Sequence, residues 1–224
     1  MIYSYPYPHP AITTDIAVFT LREGRLCILL IQRGQDPYAG AWALPGGFMS
    51  MTETLDGCAR RELLEETGVE APVLFPFGNY SEPNRDPRER VISVAYLALI
   101  PLDRMSARAD TDAKAVQWAD LDDLPPLAFD HADIIEGAIK ALRSRCEAFE
   151  IVFGLLPARF TLSAFQAAYE AVMGMPADRR NLQKALLGSG LILATEEVSC
   201  GRHRPARLYR AIENLYPCRT LGAT

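Results

Sequence analysis

Two apolar runs near the N-terminus, Thr14-Asp-Ile-Ala-Val-Phe-Thr-Leu21 and Arg25-Leu-Cys-Ile-Leu-Leu-Ile-Gln32, are rich in β-branched and aliphatic residues and are separated by Glu23-Gly24. The pattern predicts two strands joined in a hairpin. Val91 to Ile100 has the same character, and Ala115-Val-Gln-Trp118 fits a shorter strand. Gln35-Asp-Pro-Tyr-Ala-Gly40 is punctuated as a loop, and Ala41-Trp-Ala-Leu-Pro45 leads into Gly46-Gly47. The run from about Thr54 to Thr67 reads as a helix closed by Gly68 at its C′ position. Asp130 is placed to N-cap an amphipathic helix from His131 to about Arg143. Strands around helices make this part an α+β pattern.

The C-terminal part has a different rhythm. Helical patterns at about 149–156, 162–173 and 179–187 are followed by a hairpin from Leu191 to about Ile212, with Thr161 and Asp178 as N-caps and Gly174 and Gly188 as stops. Three short helices and a β-ribbon predict a winged helix-turn-helix. Its third helix carries Arg179, Arg180, Asn181, Gln183 and Lys184, donors suited to phosphates and major-groove edges, and the hairpin tip adds Arg202, Arg204 and Arg207.

Composition sharpens the division. Of 224 residues, 49% are hydrophobic, enough for a proper core. The net charge of -5 conceals an asymmetry: residues 1–146 carry 14 Lys+Arg against 21 Asp+Glu, whereas residues 147–224 carry 9 against 7. The sign change suggests two modules. No 18-residue apolar run occurs and the Tyr/Pro-rich start lacks the layout of a signal peptide, so a cytoplasmic protein without membrane association is expected. Cys27, Cys58, Cys146, Cys200 and Cys218 show neither CxxC nor paired Cys/His spacing, and are read as reduced thiols rather than zinc ligands.

The chemistry concentrates in Gly47-Phe-Met-Ser-Met-Thr-Glu-Thr-Leu-Asp-Gly-Cys-Ala-Arg-Arg-Glu-Leu-Leu-Glu-Glu-Thr-Gly-Val69. At helical spacing Glu62, Glu65 and Glu66 fall within an arc of roughly 100°. Like charges so placed cost a few tenths of a kcal/mol per pair, which Arg60 and Arg61 offset in part, so a solvated acidic face is one reading. The frame favours another: Gly46 and Gly47 let a backbone approach a phosphate. Carboxylates are oxygen-only ligands that suit Mg²⁺ or Mn²⁺ better than zinc.

Gly47, Glu53, Arg61, Glu62, Leu63, Glu65, Glu66, Gly68 and Val69 match every fixed position of the signature of the Nudix family, which the chain therefore resembles. The resemblance implies an α/β/α sandwich with a mixed sheet over residues 11–146, after an arm at 1–10 and before a winged helix at 147–224. It implies Glu65 and Glu66 as principal metal ligands and Glu62 as ligand or water-activating base. Glu53 would be either a residue supporting the ligands from behind or an additional ligand, Arg61 an ion-pairing residue that fixes the glutamates, and the backbone at Gly46 and Gly47 a contributor at metal or phosphates. Some Nudix pyrophosphatases take their base from a loop beyond the signature, where Glu82 or Glu89 could serve. Arg33, Arg85 and Arg88 could clamp a diphosphate, with Arg90 beside them. His131 is read as a helix-terminus hydrogen-bonding residue.

With Leu127-Ala-Phe-Asp-His131 and Gly201-Arg-His-Arg-Pro-Ala-Arg-Leu-Tyr209, the whole chain resembles the nicotinamide-related Nudix transcriptional regulators. That implies an ADP-ribose-class ligand, duplex DNA as partner and a homodimer reading two half-sites. Members of the group often have an eroded signature and bind without hydrolysing, whereas no catalytic position is lost here. Two readings stay open: a metal-dependent pyrophosphohydrolase carrying a DNA-binding module, and a non-catalytic sensor of ADP-ribose or of a sugar.

Overall fold

The computed structural model of the chain describes residues 5–101, 103, 115–146, 148–199 and 205–212. Its centre is β1 (Ala11–Arg22), whose two ends serve different partners. Phe19–Arg22 pairs antiparallel with β2 (Arg25–Gln32), Thr13–Asp15 pairs antiparallel with β4 (Gly46–Phe48), and Ala11–Phe19 runs parallel to β6 (Val91–Leu99). β2 adds the short β3 (Trp42–Ala43) and β7 (Val116–Asp120), and β6 adds β5 (Val73–Tyr80), so the sheet is mixed.

Both faces are covered, which is why β1 is buried without a break from Thr13 to Thr20 and apolar from Ile16 to Phe19. Alternate residues go to opposite helices: Ile16 and Val18 pack with Tyr96 and Ala98 against Ala59 and Leu63 of α1 (Leu55–Thr67). Ala17 and Phe19 pack with Leu97 and Leu99 against Ile134, Ala138 and Leu142 of α2 (His131–Cys146). Each such large side chain withdrawn from water stabilises the fold by about 1.5–3 kcal/mol. This is the expected α/β/α sandwich.

The second core layer continues without interruption into the C-terminal part. A 3-10 turn (Glu150–Leu155), α3 (Leu162–Met173) and α4 (Arg179–Gly188) contribute Phe153, Phe165 and Leu186 to the same cluster as α2, and a hairpin of β8 (Ile192–Val198) and β9 (Arg207–Ala211) completes the winged helix. Phe153, Phe160 and Phe165 stack on one another at centroid distances of 5.3–6.4 Å. Arg143 of α2 donates to the Val172 carbonyl at the end of α3.

Three local expectations are corrected, and one strand lies outside the sequence pattern. β5 escapes the hydrophobic pattern because Pro76 and Gly78 interrupt it; the strand accommodates them with a register shift between those residues. The pattern at 149–156 is a 3-10 turn, not an α-helix. α4 ends through Ser189, with Gly190 rather than Gly188 at positive φ. Asp130 precedes α2 as expected, but its carboxylate accepts from Arg85 instead of capping the helix. Thr54, Thr161 and Asp178 do cap, each accepting from the amide three residues on. Cys27, Cys58 and Cys146 are buried free thiols, and Cys200 and Cys218 lie outside the described residues. No described helix is long and apolar enough to cross a membrane.

Candidate active site and nucleic-acid interface

The glycine turn sets α1 against the sheet. Gly46 has φ 154°, and a Cβ there would stand 2.0 Å from the Thr14 carbonyl oxygen. A Cβ on Gly47 would meet the Glu62 carboxylate at 2.5 Å. No larger residue fits at Gly46, and one at Gly47 would have to displace the Glu62 carboxylate, so here the backbone meets the acidic helix directly.

Arg61 gathers three of the four glutamates. Its guanidinium grips Glu53 in bidentate fashion at 2.7 and 3.0 Å, donates to Glu62 at 2.7 Å and reaches Glu65 at 3.0 Å. Arg61 holds the Glu53 carboxyl down to about 2, and the Ser50 amide helps. The same contacts push the Arg61 guanidinium up.

Glu66 is treated differently. It accepts the Gly46 amide proton at 2.8 Å, yet burial, with Glu62 and Asp15 nearby, drives its carboxyl up to about 8. A hard dication beside it would take the place of the proton that burial otherwise puts there, and the neighbouring donors are all oxygen, so Glu62 and Glu66 fit such an ion. Among the described residues no three acidic, His or Cys side chains already converge into a cage, because Arg61 draws Glu53 and Glu65 to itself.

Glu62 and Glu66 face a cavity of ≈ 390 Å³, lined also by Gly46, Gly47, Arg33, Arg85 and Arg88. Seven expected residues therefore meet at one place. Glu53, Glu65 and Arg61 stand behind its acidic wall, and Glu82 and Glu89 are exposed and outside it. Arg85, anticipated as a loop arginine open to a diphosphate, is buried: it donates to Asp130 at 2.6 and 2.9 Å and to Asp15 at 3.1 Å. Its guanidinium is already neutralised. Arg88 is held by Asp86 at 2.7 Å but keeps an exposed side.

Asp15, Phe48, Asp86 and Phe129 line the cavity and were missed; so does His131, which had been assigned only a helix-end role. The signal for Asp15 was present, a carboxylate inside an otherwise apolar strand. It accepts from Ser93 at 2.5 Å and from Arg85, and lies 3.5 Å from His131. His131 Nδ1 accepts from the Leu44 amide at 2.9 Å, in another segment. Burial pushes its imidazole down, so it is neutral, with the proton on the nitrogen facing Asp15.

On the winged helix, α4 anchors by Leu182 and Leu186 and exposes Arg179, Arg180, Asn181 and Lys184, with Gln183 half-buried. Arg207 is exposed at the start of β9; Arg202 and Arg204 lie outside the described residues.

A mixed sheet between helices, a glycine turn over an acidic helix and a C-terminal winged helix define the class: a Nudix domain joined to a DNA-binding module. The NUDIX domain model matches residues 11–138 and the NrtR DNA-binding winged helix domain matches residues 152–211. The chain belongs to the Nudix family, in the branch that carries the NrtR winged helix. It is 34% identical over 208 residues to the ADPR responsive transcriptional repressor NtrR of Acinetobacter baylyi, covering 91% of this chain and 83% of that one. It is 42% identical over 132 residues to an ADP-ribose pyrophosphatase of Methanocaldococcus jannaschii, over 58% of this chain and 73% of that one. The crystal structure of Shewanella oneidensis NrtR complexed with a 27mer DNA superposes with a TM-score of 0.82 at 30% identity, covering 91% of this chain and 94% of that one.

Proposed function

We propose that this chain is a cytoplasmic, homodimeric transcriptional repressor that binds duplex DNA through α4 and the wing and is released by ADP-ribose bound in the Nudix cavity. We further propose that the same cavity hydrolyses ADP-ribose with Mg²⁺ or Mn²⁺. The natural division is an arm at 1–10, a Nudix domain at 11–146 and a winged helix at 147–224. The observation that carries the reading is the pairing, in one cavity, of an intact acidic wall with a cationic mouth, Glu62 and Glu66 facing Arg33 and Arg88.

Glu62 and Glu66 would hold the cation, with Glu65 joining on release from Arg61 and the Gly46 backbone beside them. The bound cation supplies charge neutralisation at the diphosphate and a more acidic water. Arg61 and Glu53 fix the orientation of α1's carboxylates. If Glu62 is not a ligand, it would instead be the group that accepts the water's proton. Arg33 and Arg88 bind the two phosphates, and Arg85 acts from behind by holding the loop that bears Arg88. Arg179, Arg180, Lys184, Arg202, Arg204 and Arg207 take phosphates, and Asn181 and Gln183 reach base edges.

AMP release from ADP-ribose by purified protein with Mg²⁺, beside fluorescence anisotropy of its upstream DNA with and without ADP-ribose, tests both parts. Metal-dependent AMP release sustains the enzyme; lowered DNA affinity with ADP-ribose sustains the repressor. A second reading, a sensor without turnover, is favoured by the capture of three glutamates on Arg61. Ligand-responsive DNA binding without AMP release would establish it.

A further inference from the structure

Two arginines from distant parts of the chain meet at the cavity mouth, and one aromatic ring lies between them. Arg33, just beyond β2, places its guanidinium carbon 4.7 Å from the Phe129 centroid. Arg88, in the loop before β6, lies 5.9 Å from the same centroid and 5.2 Å from that of Phe48. Both separations are within reach of cation–π attraction.

The ring is itself held. Phe129 occupies the left-handed region at φ 52°, as does Tyr38 at φ 65°, and the two rings meet edge to face at 4.8 Å. Bulky side chains rarely adopt that backbone conformation, and such residues cluster where a site demands them. The remaining contacts of Arg33 fix it further: Nε donates to the Pro37 carbonyl at 2.8 Å and a terminal nitrogen reaches the Gln35 carbonyl at 3.4 Å. Among the described residues Arg33 makes no ion pair, although Arg88 is near enough for its charge to disfavour that of Arg33, after burial the next cause of its lowered pKa. Arg88 is fixed at its end by Asp86.

We infer that Phe129 is a positioning residue that holds Arg33 and Arg88 as a pair, and thereby sets the preference of the cavity for a diphosphate over a single phosphate. A guanidinium held against a ring face presents in its plane the N–H groups that Pro37, Gln35 and Asp86 leave unoccupied, and these are the donors a bridging diphosphate would engage. Asp86 offsets part of the charge of Arg88, and the repulsion that remains between the two guanidiniums is relieved when a ligand with two anionic groups spans them. A monophosphate engages one arginine only and gains nothing from the pairing. The inference rests on the ADP-ribose reading above and extends it to what selects the diphosphate.

The test is calorimetric titration with ADP-ribose and with AMP, in EDTA to prevent turnover, of wild type and three variants. Phe129→Leu keeps apolar bulk without a π face. Phe129→Gly accepts φ 52° freely and so guards against a folding artefact. Phe129→Trp restores an aromatic face. Wild type should bind ADP-ribose more tightly than AMP. Leu and Gly should each weaken ADP-ribose by about tenfold or more and AMP by less than about threefold, with Trp near wild type. If the protein turns over, KM for ADP-ribose should rise with kcat unchanged. Retention of the ADP-ribose preference in both Leu and Gly, or equal loss for both ligands, overturns the inference alone. A wild type that binds neither ligand overturns the ADP-ribose reading and this inference together.

Discussion

At Glu66 the chain keeps a carboxyl whose burial lifts it to about 8, from an ordinary value of 4.5. The folded state then binds a proton that the unfolded state gives up between those values. Its contribution to stability is therefore fully present below about 4.5 and is lost as pH rises through about 8. Two outcomes are expected from thermal unfolding. Without metal, wild type should lose Tm between pH 6 and 9 relative to Glu66→Gln, which has no proton to lose. Added Mg²⁺ should raise the Tm of wild type more at pH 8.5 than at pH 6.5, because the ion competes with that proton, and should do little for Glu66→Gln. In the hydrolysis assay, the same substitution removes a ligand charge and should cost on the order of a thousandfold in rate.

At the scale of elements, the glycine turn and the basic helix make separable demands. Gly46→Ala would drive a methyl into the Thr14 carbonyl and force β4 from β1, and a loss of about 2–4 kcal/mol is expected in urea unfolding. Gly47→Ala meets a movable target, the Glu62 carboxylate, so fold should survive while AMP release falls. On α4, Arg180 and Lys184 are exposed and bear no structural burden, unlike Leu182 and Leu186. Replacing both by Ala should leave the unfolding free energy within about 0.5 kcal/mol of wild type. If each contacts a phosphate, the log-log salt slope of DNA binding should flatten by roughly 0.9 per contact.

In the whole molecule α2 is the element that touches both the cavity loop and the winged helix. Asp130, beside the cavity, grips Arg85 just ahead of its first turn; its middle packs on the sheet; and near its end Arg143 donates to α3. A ligand can alter DNA affinity only by preferring one arrangement of this joint, and couplings of that kind amount to about 1–3 kcal/mol. Arg143 is exposed, so Arg143→Gln should fold normally. With the Val172 contact gone, ADP-ribose and DNA should each still bind alone, while the effect of one on the other shrinks. Anisotropy titrations with and without ADP-ribose measure that difference; an unchanged ratio would show that the joint lies elsewhere.

The sequence by itself determined the acidic helix, its Gly68 stop and the order of most strands and helices, because those follow from short-range spacing: Gly68 closes α1 at fixed distances from Glu62 and Glu66. It also marked the donors of α4 that the structure exposes, Arg179, Arg180, Asn181 and Lys184, to either side of Leu182. Only the tertiary structure decided how the charges are spent. Loop arginines look alike in sequence, yet Arg85 is buried between Asp130 and Asp15, its partners 45 and 70 residues away in the turn before α2 and on β1, while Arg88 stays at the mouth, paired with Asp86 two residues off. Likewise β5 was hidden by Pro76 and Gly78, which an edge strand tolerates through a bulge, and Phe129 carried no local mark of meeting Arg33. Local pattern fixes what each segment can be; long-range packing and burial select which polar groups remain free for a ligand.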